Sequence, residues 1–295
     1  MSRLLDPAVL MAIKDLPLAA KTTIDGFMSG LNKSNVKGPG LEFSQYRSYQ
    51  PGDDLRWLDW KMYARSDRYY IRESETETSI SVRFLIDASG SMAHKDGAFS
   101  KMDYARYLAA SLGWLAALQG DAIGLYAFQN QQLYMLPSRK DPQHMNRFFY
   151  QLEQLQPEGH FTTPIAYNNI FTNSQQKELL IFISDLYQPK NEISPLLEAL
   201  AAFRHEVIVL HLMARNELDM DYAGYTTLQD LETQQTIPIS SPQYRQEYQQ
   251  KLQAWLQTQR KQLLEKNISY RMMTMNEPID KALNDFLQQR KKSIL

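Results

Sequence analysis

The stretch Ile80-Ser-Val-Arg-Phe-Leu-Ile-Asp-Ala-Ser-Gly-Ser-Met92 runs from a hydrophobic strand straight into a cluster of oxygen-bearing side chains. Val82, Phe84, Leu85 and Ile86 are β-formers packed into a short run, the pattern of a strand buried at the centre of a parallel sheet. Asp87, Ser89 and Ser91 follow, alternating with Ala88 and Gly90. The small residues let the backbone fold tightly, so one carboxylate and two hydroxyls can converge on a point. Hard oxygens of that kind suit Mg²⁺ or Mn²⁺, with waters in the remaining positions.

Two later segments complete such a site. Thr163 lies in Gly159-His-Phe-Thr-Thr-Pro-Ile165, a loop leading into a helix signal, and Asp185 ends the apolar run Glu178-Leu-Leu-Ile-Phe-Ile-Ser184. Open parallel sheets gather ligand-binding groups at the carboxyl ends of their strands. The order Asp-x-Ser-x-Ser, Thr, Asp resembles the metal-ion-dependent adhesion site of von Willebrand factor A domains. The plain alternative is a serine-rich turn that caps the next helix and binds nothing.

The 295 residues suffice for one large α/β domain with additions, or for two small domains, and 43% hydrophobic residues can fill a core. A formal net charge of −1 gives no field to draw in nucleic acid or an anionic membrane. The absence of cysteine removes disulfides, thiolate nucleophiles and the usual structural zinc sites, and fits a reducing compartment. No signal-peptide core opens the sequence and no run nears the ~18 apolar residues that cross a bilayer. The expectation is a cytoplasmic protein with no membrane span.

Residues 4–31 carry two short helix signals punctuated by Pro7 and Pro17, with Leu10, Ile13, Ile24 and Phe27 able to pack on something larger. Next comes Gly40-Leu-Glu-Phe-Ser-Gln-Tyr-Arg-Ser-Tyr-Gln-Pro-Gly-Asp-Asp-Leu-Arg-Trp-Leu-Asp-Trp-Lys-Met-Tyr-Ala-Arg65. It is too polar for a core and too aromatic for a solvated linker. Pairs among Arg47, Arg56, Arg65, Asp53, Asp54 and Asp59, with Trp60 between them, make it a structural clasp or a partner-facing surface. Residues 1–79 thus read as an N-terminal extension and 80–295 as the main domain.

The pattern Gly-x-Glu-Phe-x-x-x-Arg-x-Tyr-x-Pro-Gly-Asp-Asp-x-Arg-x-x-Asp-Trp, then Ala64-Arg65, then Asp87-Ala-Ser-Gly-Ser-Met, resembles the bacterial family catalogued as domain of unknown function 58. The likeness runs from Leu4 to about Arg215. It implies a von Willebrand factor A-like domain and a MoxR-type AAA+ ATPase as partner, with a role in assembling or maturing another complex. The family's Gly-Gly-Thr loop is replaced here by Gly159-His-Phe-Thr-Thr, which leaves Thr162 and Thr163 as rival ligands; Pro164-Ile165 favours Thr163.

Downstream, helix and strand signals alternate. Helices are expected over 101–118, 142–155, 165–172 and 195–203, and strands over 121–128, 132–137, 179–184 and 206–213. The βα alternation predicts an α/β fold, a doubly wound and mostly parallel sheet with helices on both faces. A β-hairpin over 226–239, its turn around Glu232, and a helix from Pro242 to Lys266 read as an insertion at about 222–267. A last strand (268–273) and a helix ending in Arg290-Lys-Lys292 close the domain; that basic end complements a helix dipole.

Two functions compete. In the first, Asp87 and Asp185 hold the ion, directly or through water. Ser89, Ser91 and Thr163 supply neutral ligands, and an acidic side chain from a protein partner fills an open position. The second is a metal-dependent phosphatase-like hydrolase with Asp87 as nucleophile. Those enzymes place a second acid where this chain has Ser89, and no P-loop, Gly-x-Ser-x-Gly elbow or cysteine nucleophile is present. His160 beside the Thr loop is a candidate base that also reads as a bystander. A non-enzymatic binding module is the favoured reading. Arg47, Arg56, Arg65, Arg68 and Arg72, interleaved with acids, do not make a nucleic-acid surface.

Overall fold

The structure, a computed structural model, describes residues 10, 13, 15–33, 45–50, 58–73, 79–129, 132–161, 177–188, 191–202, 205–220, 226–232, 235–239 and 242–294. In chain order its elements begin with α1 (Leu16–Lys33), β1 (Gln45–Ser48), α2 (Trp60–Ser66) and β2 (Tyr70–Glu73). Then come β3 (Ser81–Asp87), β4 (Lys95–Asp96), β5 (Phe99–Ser100), α3 (Lys101–Leu118), β6 (Ala122–Gln129), β7 (Gln132–Arg139) and α4 (Pro142–Gln154). The remainder is β8 (Glu178–Ser184), α5 (Ile193–Ala202), β9 (Glu206–Met213), α6 (Arg215–Asp219), β10 (Thr226–Gln229), β11 (Thr236–Ile239), α7 (Pro242–Glu265), β12 (Ser269–Thr274) and α8 (Asp280–Ile294).

The chain forms two compact units, Met1–Met28 with Ser79–Leu295, and Ser29–Thr78. The sequence reading places one boundary at residue 79; the described residues up to Met28 group with the main unit. The physical reason lies in α1, one 18-residue helix with Pro17 in its first turn rather than a short segment. It buries Ala19, Ala20, Ile24 and Phe27, sets Thr23 Oγ1 2.8 Å from the Tyr107 hydroxyl and lays the Lys21 ammonium over the Trp114 ring.

In the main unit, six strands lie in the order β12-β9-β8-β3-β6-β7. All neighbours are parallel except β6 and β7, which form an antiparallel hairpin at one edge. Strand β3 sits inside, and the chain steps from it first to β6 on one side and later to β8 on the other. This is a doubly wound α/β sheet, and the reversal of direction beside β3 opens a crevice at the strands' carboxyl ends.

Both faces are covered, which is why the central strands read as unbroken apolar runs. On one face Leu85, Phe128, Leu180 and Val209 pack under α5 and the end of α7, where Leu263 is buried. On the other, Phe84 meets Phe148 of α4, ring centroids 5.4 Å apart. The α7 helix, read from sequence as part of an insertion, is the crossover between the parallel neighbours β9 and β12; the β10–β11 hairpin is the addition to it. The helix expected over 165–172 lies outside the described residues. Among the described residues no helix is long and apolar enough to cross a membrane.

Helix α3 approaches α4 so closely that a Cβ on Gly113 would stand 2.7 Å from Phe148 Cε1. That ring is buried among core groups, so it has little room to withdraw. Gly113→Ala should therefore destabilise the protein by about 1–3 kcal/mol, read from the denaturant midpoint. An unchanged midpoint would mean that the ring shifts freely.

In the smaller unit, β1 and β2 pair antiparallel, with Arg47 opposite Ile71. Asp59 caps α2 by accepting from the Lys61 and Met62 amides at 2.9 and 3.0 Å. Asp67 ends the helix in the left-handed region at φ 53°. Tyr63 and Tyr69 stack with centroids 4.5 Å apart.

Candidate functional site

The site grows from the ends of β3 and β8, which are adjacent and in register, Ile86 opposite Ile183. Asp87 is the last residue of β3 and is fully buried. Its Oδ1 accepts from the Ser89 amide at 3.0 Å and its Oδ2 from the Ser184 hydroxyl at 2.6 Å. Ala88 and Ser89 then lead into a 3₁₀ turn over Gly90–Ala93. That turn brings the Ser89 and Ser91 hydroxyls 3.1 Å apart.

Asp185 follows β8 in a tight turn. Leu186 adopts φ 55°, a conformation costly for a branched side chain. Two hydrogen bonds hold it: Ser184 Oγ accepts from the Leu186 amide at 2.8 Å, and Asp185 Oδ1 accepts from the Tyr187 amide at 3.1 Å. The turn aims Asp185 back across the crevice, where Oδ1 accepts from the Ser91 hydroxyl at 3.1 Å.

Asp87, Ser89, Ser91 and Asp185 therefore converge as the sequence motif implies. Thr163 and its rival Thr162 lie outside the described residues. So do Asp53, Asp54 and Arg56, and the side chain of Arg47. Of the remaining clasp residues, Asp59 serves as a helix cap, Trp60 is 62% exposed with its ring edge-on to Tyr63, and Arg65 is exposed in the last turn of α2.

Several site residues escaped the sequence reading. Lys101, the first residue of α3, is buried; its ammonium donates to Asp185 Oδ2 at 2.9 Å and to Glu217 Oε1 at 2.7 Å. Glu217 Oε2 also accepts from the Ala214 amide at 2.9 Å. Ser184, read only as the end of a strand, bridges Asp87 to the β8 turn. A further acid comes from the hairpin: Glu232, its side chain 1% exposed, meets His160 at 3.0 Å. None of these carries a local signal, because each acts on residues far away in the chain.

Among the described residues the carboxyl groups of Asp87, Asp185, Glu217 and Glu232 gather around the Lys101 ammonium, with His160 beside Glu232. Burial, and then the charge of Asp185, push the Asp87 carboxyl up to about 7. Burial opposes ionisation of Asp185 as well, but Lys101 outweighs it and holds that carboxyl below its usual range. Burial raises Glu232. With Asp87 and Asp185 both ionised, the site would hold more negative charge than Lys101 neutralises.

A hexacoordinate Mg²⁺ with bonds of ~2.0–2.1 Å separates adjacent ligands by about 2.9 Å. The Ser89–Ser91 and Ser91–Asp185 oxygen separations, both 3.1 Å, fit adjacent positions of such a shell. The donor set suits a hard divalent cation. It relies on hydroxyls as much as acids: among the described residues no group of three or more His, Cys, Asp or Glu is gathered as a metal cage. Beside it runs a cleft of about 510 Å³, from Ser91 and Asp185 to Tyr248, Leu252 and Trp255 of α7.

A model of the family described as "Protein of unknown function DUF58" matches residues 45–258. Uncharacterised proteins of Mycobacterium tuberculosis and Mycobacterium bovis are each 28% identical over 231 residues, 77% of this chain and 72% of theirs. Among solved structures, BatB from Bacteroides thetaiotaomicron covers 73% of this chain and 99% of its own, with 16% identity and a TM-score of 0.47. The VWA domain of SpRpn10 covers 72% and 95%, with 10% identity and a TM-score of 0.39.

Proposed function

Because the chain belongs to the DUF58 family and closes its sheet on an oxygen-lined crevice, we propose that it is a divalent-metal-dependent protein-binding module without catalytic activity of its own. The observation that carries this reading is the convergence of Asp87, Ser89, Ser91 and Asp185 at the switch point of the sheet. Asp87 and Asp185, directly or through water, would hold Mg²⁺ or Mn²⁺ with the two serines and Thr163. Such an ion supplies an electrophilic centre for a carboxylate from the partner.

The chain's own residues define how that carboxylate arrives. The cleft leads from Ser91 and Asp185 to α7, with His94 and Lys251 on its lining beside Glu217 and Asp230, so an incoming carboxylate depends on the charge of the ion to draw it in. The resemblance to a family that accompanies MoxR-type AAA+ ATPases makes such an ATPase, or its client, the partner we infer, acting in the cytoplasm in assembly or maturation of a complex.

The hydrolase alternative has less support. A nucleophilic carboxylate needs an oxygen open to the substrate, whereas Asp87 is buried and both its oxygens accept hydrogen bonds. The test is affinity for the purified MoxR-type ATPase of the same cell, measured calorimetrically across a Mg²⁺ series and after chelation. Binding should fall at least about tenfold on chelation, since ion and partner would share one coordination shell. Metal-independent binding refutes the mechanism, and chelator-sensitive turnover of generic phosphate esters would favour the hydrolase.

A further inference from the structure

The β10–β11 hairpin sets its turn directly over the crevice, and three attachments keep it there. The Tyr187 hydroxyl, two residues beyond Asp185, donates to Asp230. The Leu231 carbonyl lies so near the β3 turn that a Cβ on Gly90 would stand 3.0 Å from it. Glu232 Oε2 meets His160 Nδ1 at 3.0 Å.

These contacts bury a carboxylate whose needs are only half met. Among the described residues Glu232 Oε1 is buried without a well-formed hydrogen bond, on a side chain near enough to the Ser89 hydroxyl to be stabilised by it as a carboxylate, and within reach of the charge of Asp185. A bare carboxylate oxygen shut away from water is costly, and more so beside other acids. Packing gives no reason for it: glutamine would fill the same volume without the charge. The arrangement makes sense if that oxygen is aimed at positive charge held by Asp87, Ser89, Ser91 and Asp185.

We propose that Glu232 is the resident occupant of this site, holding the place that a partner's acidic side chain would take, so that a partner binds by displacing the hairpin turn. The inference rests on the metal-dependent binding function proposed above. Glu232 belongs to the class of ligand that function asks of a partner. Its carrier is also easy to move, because two strands of four residues each make a hairpin that is marginal on its own. The competent fraction of the protein is then the fraction with the turn displaced, and apparent partner affinity scales with it.

Removing the occupant should change two affinities in opposite directions. In Glu232→Gln, Mg²⁺ should bind several-fold more weakly for want of a nearby negative charge. An acidic probe, N-acetyl-tetraglutamate amide, should bind the Mg²⁺-loaded chain about tenfold more tightly for want of a competitor. General loosening of the fold would weaken both. Tyr187→Phe, which removes the hydroxyl that tethers Asp230 of the hairpin and leaves Glu232 in place, should raise probe affinity by a smaller factor. Calorimetry on the full chain, with thermal unfolding to confirm the fold of each variant, supplies the readout. Equal probe affinity in wild type and both variants, with Mg²⁺ still binding wild type, would overturn the role of Glu232 and leave the metal site standing. Failure of wild type to bind Mg²⁺ at all would remove both.

Discussion

Replacing Lys101 with methionine should destabilise the protein by about 3–5 kcal/mol, as removal of one partner from a buried ion pair does. Methionine fills a similar volume, so the loss is electrostatic rather than a cavity. The Lys101 ammonium is 3% exposed and neutralises both Asp185 and Glu217. Without it Asp185 stays buried beside Asp87 with no opposite charge, and deprotonating either carboxyl becomes more costly. A cationic residue is also out of place at a helix N-terminus, where the dipole repels it; only the two acids justify its position at the start of α3. Differential scanning calorimetry should show the melting temperature falling by roughly 10 °C. Saturating Mg²⁺ should restore more stability to this variant than it adds to wild type, because the ion supplies the missing charge. A melting temperature close to wild type would mean that Asp185 does not depend on Lys101.

Asp87→Asn should do the opposite to stability while abolishing the metal site. Burial and Asp185 raise the Asp87 carboxyl from 3.8 in the unfolded chain to about 7 in the fold. A raised acid lets the folded state keep a proton that the unfolded state has lost. Through this group alone, stability should be unaffected well below pH 4, decline between pH 4 and 7, and be lower by about 4 kcal/mol above pH 7. Asparagine has no charge to desolvate. Its carbonyl accepts from the Ser89 amide, and its amide faces the Ser184 hydroxyl, which can accept instead of donating. The variant should match wild type near pH 4 and exceed it at pH 8 by up to a few kcal/mol. Mg²⁺ affinity should fall at least about a hundredfold, the worth of a ~3 kcal/mol loss. A variant that still binds Mg²⁺ as wild type does would exclude Asp87 as a ligand.

How much of this was legible in the sequence depended on whether the signal was local. Strand β3 ends at Asp87, α3 spans Lys101–Leu118 and β9 spans Glu206–Met213, as the periodicity predicts. Burial on both faces leaves continuous apolar runs with abrupt polar ends, and an acid after such a run stands out. Asp87, Ser89, Ser91 and Asp185 were readable for that reason. Lys101 was not: as the first residue of an apolar helix it looks like a solvated end, and its partners lie 84 and 116 residues further on. Glu232 was read as a turn residue for the same reason, since nothing within the hairpin shows what the turn covers. Asp59 is expected in an ion-pair clasp, and among the described residues it also caps α2, a role open to any Asp before a helix.

The central place of β3 also sets a timetable for synthesis. Its partner on one side, β6, follows within some forty residues, but Ser184, which closes the Asp87 carboxylate from the other side, comes 97 residues later. At ~5–20 residues per second on the ribosome, the open β3 edge waits about 5–20 s for β8. During that interval the nascent chain presents an unpaired, apolar strand edge, the kind of surface that chaperones bind and that aggregates when they do not. Slow decoding between codons 130 and 177 would lengthen that exposure, whereas slowing beyond codon 220 would leave it unchanged.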